Sequence, residues 1–162
     1  MHSETQTAPD HRAHVAAIRQ RKYAEAAAIG IDEALVDRVV EQFYARIRTD
    51  DLLGPIFAAR INDWPPHLTK MKQFWRSVLL GSGEFSGNPM VRHRAIPGLS
   101  EHHFSHWLTL FYQTLREECA KSEGAEMFGQ RARMIAESLL IGVEMERDGS
   151  IPPANNRSLP HV

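Results

Sequence analysis

Two histidines sit in surroundings that suit chemistry at a metal. His67 opens the amphipathic stretch WPPHLTKMKQFWRSVLLG, and His93 lies in GNPMVRHRAIPG, between two helical stretches. Around them the chain supplies Tyr44, Phe57, Met71, Phe74, Trp75, Trp107 and Phe111. A flat apolar cofactor with a metal at its centre needs this combination: one imidazole to hold the metal, and polar groups on the other face to touch a ligand. Each residue also has a plainer reading. His93 can cap a helix end or face water. His67 can be a solvated residue at a helix start, although Met71, Phe74 and Trp75 continue its face. Tyr44 and Trp107 can be core aromatics whose polar atoms find a partner. Spacing alone leaves both readings open.

Other candidates are weaker. His102, His103 and His106 form HHxxH, and their i, i+4 pair resembles half a zinc site. No glutamate lies between them in the protease pattern and no third ligand is near in sequence, so a solvated helix face is the expectation. Cys119 has no basic or histidine neighbour in sequence to make it a catalytic thiolate. The chain has no G-x-G-x-x-G, no P-loop and no G-x-S-x-G.

The elements that must position these groups are all helical in period. A first helix is expected over 9–28, ended by Gly30, with a thin apolar face of Val15, Ile18 and Tyr23. A second starts at the N-cap Asp32 and carries Leu35, Val36, Val39, Val40, Phe43, Tyr44 and Ile47 on one arc. DDLLGPIF reads as a turn, broken at Gly54-Pro55. A third helix runs from Pro65-Pro66, capped by Asp63, to Leu80, with His67, Met71, Phe74, Trp75 and Val78 on one face. Residues 81–98 hold four glycines and two prolines and read as loop, with one helical turn around 90–94. Ser100 caps a fourth helix with the stripe Phe104, Trp107, Leu108, Phe111 and Leu115. A last helix spans 125–145, with Phe128, Ala132, Ile135, Leu139 and Val143 inward. The tail GSIPPANNRSLPHV is expected to be mobile.

A chain of 162 residues is one domain by length and can bury a core without disulfides. With 43% hydrophobic and 24% charged residues its composition is that of a soluble globule. A net charge of −1 gives no footprint for nucleic acid or an anionic membrane. No apolar run reaches the ~20 residues of a membrane span, and the N-terminus does not read as a secretory signal. The single cysteine excludes an intrachain disulfide and points to a cytoplasmic location.

DDLLGPIF, WPPHLTKMKQFWRSVLLG, GNPMVRH and HFSHWLTLF, in this order and spacing, resemble the group III truncated haemoglobins over roughly 32–143. The resemblance implies an all-α, truncated two-over-two globin fold around haem b, with an N-terminal helical extension. It divides the chain into an extension over 1–30, a haem-binding globin domain over 31–147 and a flexible tail over 148–162. His93 matches the family's proximal iron ligand. Tyr44, His67 and Trp107 match the distal polar positions, Met71 the apolar distal wall, and Phe57 the phenylalanine that wedges the haem. Phe74 follows on the same helix face. Lys70 and Arg92 match positions where basic residues meet the haem propionates. Met71 stands where a branched aliphatic side chain is common. The implied function is reversible binding of dioxygen or another small diatomic ligand (nitric oxide, carbon monoxide) at a five-coordinate iron. The alternative is a haem enzyme acting on peroxide, nitric oxide or nitrite. A reductase partner and a monomer or weak dimer are compatible with this. A cofactor-free helical interaction module is the rival from another class.

Overall fold

The computed structural model describes residues 7–87, 96, 98–149 and 159–162. Six helices are present among them: α1 (Thr7–Ala28), α2 (Glu33–Thr49), α3 (Gly54–Arg60), α4 (Trp64–Leu80), α5 (Glu101–Glu118) and α6 (Ser122–Asp148). The helix expected around 90–94 lies outside the described residues.

α2 is the central element, because its apolar arc is wide enough to be covered from two sides. Leu35, Val36, Val39, Val40, Phe43, Tyr44 and Ile47 are all buried, each worth roughly 1.5–3 kcal/mol. α4 covers one side of that arc and α5 the other, while α6 packs along α5 and reaches α4. Two helix pairs, α2 with α4 and α5 with α6, therefore enclose one core. Asp32 starts α2 as expected: its carboxylate accepts the Leu35 N–H at 2.8 Å.

The crossing of α2 and α5 is also pinned by polar groups. The Arg46 guanidinium donates to Thr114 Oγ1 at 2.7 Å and pairs with Glu117. Thr114, fully buried on α5, donates its hydroxyl hydrogen bond to the Leu110 carbonyl at 2.9 Å. Every polar atom of that hydroxyl is used, so its burial costs little.

Three elements differ from expectation. DDLLGPIF is more than a turn, because Gly54-Pro55 opens the short helix α3 rather than only ending α2. Proline is tolerated in a first helical turn, where its missing N–H has no partner to lose. Asp63 occupies the N-cap of α4, yet its side chain makes no capping hydrogen bond. Pro65 and Pro66 remove two of the N–H groups that a cap would serve. α6 is longer than expected at both ends, from Ser122 to the left-handed Gly149.

α1 packs on α4 and keeps the thin face read from sequence: Val15 and Tyr23 are half-buried and Ile18 is exposed. Lys121 closes its C-terminus by donating to the Ala28 carbonyl at 2.9 Å. At the other end of the chain the last residues are packed. Leu159 is buried, and Tyr112 donates to the Pro160 carbonyl at 2.7 Å.

Candidate functional site: an aromatic pocket between α2, α3, α4 and α5

Tyr44 leaves α2 on the side that meets both α3 and α4. Its ring lies edge-on to His67 at 5.1 Å and 90°, and 6.0 Å from Phe57 and 5.8 Å from Trp64. Two further helices, α3 and α4, thus converge on one phenol. Burial pushes the Tyr44 hydroxyl well above its ordinary pKa. It therefore stays protonated, a hydrogen-bond donor at any physiological pH.

His67 is one helical turn into α4. The sequence allows a solvated ring at a helix start. The ring is wedged edge-on between Tyr44 and Trp64, 5.7 Å from the latter, and its Nε2 is shielded from solvent. Trp64, not singled out from sequence, supplies the outer wall and carries the Arg48 guanidinium 4.8 Å over its face. A tryptophan before Pro-Pro is the only local signal that could have flagged it.

Trp107 comes from α5. It stacks on Phe111 at 5.2 Å and meets Phe43 edge-on at 5.3 Å. Phe43 in turn touches Tyr44 at 5.1 Å, so the two expected donors are joined through one core ring. From Phe111 the aromatic chain continues to Trp75 and Phe74, and ends at Phe85, 5.1 Å from Phe74. Trp75, which shares the sequence face of His67, turns into the core and is buried against Phe128.

The residues on the pocket side have a common property. Phe57, Met71, Phe74, Val78, Trp107 and Ile135 are apolar yet only half-buried against the core. Apolar side chains left half-wet in this way are of the kind that a flat apolar group such as haem would cover. Among them Phe57 lies against Tyr44, which also meets His67. Lys70 is exposed on α4. His93 and Arg92 lie outside the described residues.

The HHxxH segment resolves into three separate roles. His103 accepts the Ser100 N–H on Nδ1 at 3.2 Å and so returns half of a helix-capping pair. Burial, with His102 nearby, lowers its pKa. His106 Nε2 donates to Asp50 Oδ1 at 2.7 Å, and His102 is exposed. Among the described residues no cluster of three metal-ligating side chains exists. Cys119 is half-buried, and burial raises its thiol pKa, the opposite of an activated thiolate.

A stacked pair of helix pairs with a half-wet aromatic pocket between them is the architecture of a small globin. Residues 26–139 match the bacterial-like globin family. The group 3 truncated hemoglobin ctb of Campylobacter jejuni is 34% identical over 110 residues, 65% of this chain and 86% of that one. The group 1 truncated hemoglobin GlbN of Nostoc is 32% identical over 69 residues, 43% of this chain and 57% of that one. The crystal structure of a group III truncated hemoglobin from Campylobacter jejuni superposes with a TM-score of 0.64 at 33% identity, covering 68% of this chain and 89% of that one. The chain belongs to the bacterial-like globins and, within them, to the truncated haemoglobins of group III. Membership implies haem binding and small gaseous ligands. No described helix is long and apolar enough to cross a membrane.

Proposed function

We propose that the chain holds haem b through His93 and reversibly binds dioxygen or another diatomic ligand. Haem so held would supply an iron able to take a small diatomic ligand. The domain division of 1–30, 31–147 and 148–162 is part of this reading, as is a cytoplasmic location with the lone Cys119 reduced. The observation that carries it is the meeting of Tyr44 and His67 beside the half-buried Phe57. Phe57, Met71 and Phe74 are apolar and half-buried, which suits them to grip the flat faces of the ring. Lys70 and Arg92 are cations suited to its carboxylates. Tyr44 donates a hydrogen bond to a ligand that carries partial negative charge, and Trp107 is suited to a second. His67 closes the pocket beside Tyr44.

Catalysis on peroxide, nitric oxide or nitrite would require a group that gives up a proton readily. Tyr44 is a poor one, since burial raises its pKa. His67 is therefore the group to test for proton transfer. The experiment is the absorption spectrum of purified wild type and His93→Gly. Wild type should show a Soret band. His93→Gly should lose haem in purification and regain it with added imidazole. A colourless wild type, or normal haem content and ferrous spectrum in His93→Gly without imidazole, overturns the assignment.

A further inference from the structure

Asp50 stands where α2 ends and the turn into α3 begins, and both of its carboxylate oxygens are in use. Oδ2 accepts the Leu52 and Leu53 N–H groups at 3.1 and 2.8 Å. Its backbone carbonyl accepts the Gly54 N–H at 2.9 Å, and its own N–H donates to the Ile47 carbonyl at 3.1 Å. These bonds are local and would suffice to build the turn. Oδ1 does something else: it accepts from His106 Nε2 at 2.7 Å, across 56 residues of chain. The pair is sheltered, with Asp50 14% and His106 33% exposed.

The position of this contact matters. His106 is the residue before Trp107. Asp50 is less than two helical turns beyond Tyr44 and seven residues before Phe57. Further back along α2, Arg46 meets α5 at Thr114 and Glu117, and Arg38 meets it at Glu118 at 3.5 Å. α2 and α5 are therefore tied at three points that run in opposite directions along the two helices, and His106–Asp50 is the one beside Trp107. The other two lie at Thr114 and beyond, so without His106–Asp50 the Trp107 end of the crossing is left to pivot about them. The pivot in question would change how Trp107 meets Phe43, and so its distance from Tyr44.

We infer that the His106–Asp50 pair is a positioning clasp for the ligand pocket: it sets where Trp107 stands relative to Tyr44 and Phe57 without touching the ligand. The inference rests on the reading of Tyr44 and Trp107 as donors to bound ligand. His106 and Trp107 are consecutive on a helix and point about 100° apart, so the clasp acts through the backbone of α5. It is a positioning residue pair, not part of the ligand contacts.

The test uses the full-length haem-loaded protein. His106→Leu removes the donor and keeps most of the volume, whereas His106→Gln keeps an N–H to offer Asp50. Three readouts apply: oxygen dissociation rate, the carbon monoxide stretching band of the ferrous carbon monoxide form, and hydrogen exchange at the Leu52 and Leu53 amides. His106→Leu should raise the dissociation rate roughly three- to tenfold, about the loss of one neutral hydrogen bond. It should also broaden the stretching band and shift it upward, as donors near the ligand are misplaced. His106→Gln should restore most of both. In a Trp107→Phe background His106→Leu should add little, because the two act through one group.

A band and rate unchanged in His106→Leu, even with lower thermal stability, would make the pair merely structural and overturn the inference. Failure of His106→Gln to rescue would do the same. If Tyr44→Phe and Trp107→Phe themselves change nothing, the donor reading falls and takes the clasp with it. That outcome is distinct from one in which only His106→Leu is silent. Should His106→Leu fail to fold, Asp50→Asn, which keeps an acceptor for the turn amides, should give a smaller change in the same direction.

Discussion

Tyr44 is buried and its pKa is raised, so it remains a neutral phenol with an O–H to donate. Tyr44→Phe keeps the ring contacts with His67, Trp64 and Phe57 and removes only the donor. The oxygen dissociation rate should rise about two- to tenfold, the worth of roughly 0.5–1.5 kcal/mol, as measured by stopped flow; Trp107→Phe should act in the same direction. Equal rates in wild type and both variants would remove the pair from the ligand contacts. His67→Ala opens space between Tyr44 and Trp64, so carbon monoxide should recombine faster after flash photolysis. An unchanged entry rate together with a large loss of oxygen affinity would make His67 a ligand-stabilising donor and not a barrier. Asp50 adds a pH dependence. Partial burial pushes its pKa up, but the His106 hydrogen bond and the Leu53 and Leu52 amides outweigh this and hold it below the ordinary value. Its stabilisation is therefore present above the unfolded-state carboxylate pKa and is lost as pH falls through the lower folded value. Urea titrations between pH 6 and 3 should show Asp50→Asn losing less stability on acidification than wild type; parallel curves would count against the assignment.

At the scale of elements, the start of α6 is fixed by a close approach. A Cβ on Gly124 would stand 2.4 Å from the Ile29 carbonyl oxygen, and backbone cannot move aside cheaply. Gly124→Ala gains up to about 1 kcal/mol of helix propensity and loses about 1–3 kcal/mol to the overlap. We expect net destabilisation, read as a lower thermal midpoint. Stabilisation by Gly124→Ala would show that the connection through Ile29 yields. Apolar period and capping residues made α2, α4, α5 and α6 legible from sequence, with ends off by at most a few residues. α3 was not legible, since Gly54-Pro55 signals a break equally well when it ends one helix or begins the next. The role of His106 was hidden for a similar reason: HHxxH is one string in sequence, yet its three rings answer to a cap, a distant carboxylate and solvent.

At the scale of the molecule, the end of the chain returns to the globule. Leu159 is buried, the Pro160 carbonyl takes the Tyr112 proton, and Val162 lies over Gly129. Deleting residues 159–162 should cost about 1–3 kcal/mol, the burial of one leucine and one hydrogen bond. For a chain of this size that is a fall of several degrees in thermal midpoint. Haem-loaded and haem-free protein should both show it, because the contact lies on α5 and α6 and not at the pocket. A loss confined to the haem-free form would tie the chain end to the cofactor instead.

The sequence by itself determined the helices and most of their buried faces, because these follow from local period. Tyr44, His67 and Phe57 were singled out through the family resemblance, and the fold brings their rings together. Tertiary structure alone decided what each polar group meets. Whether a histidine is loose or wedged depends on Trp64 and Tyr44 arriving from other turns and helices. Whether a carboxylate serves only its own turn or also a helix 56 residues away depends on how α2 crosses α5. Such contacts are set by the packing angle between helices, which no single helix carries in its own pattern.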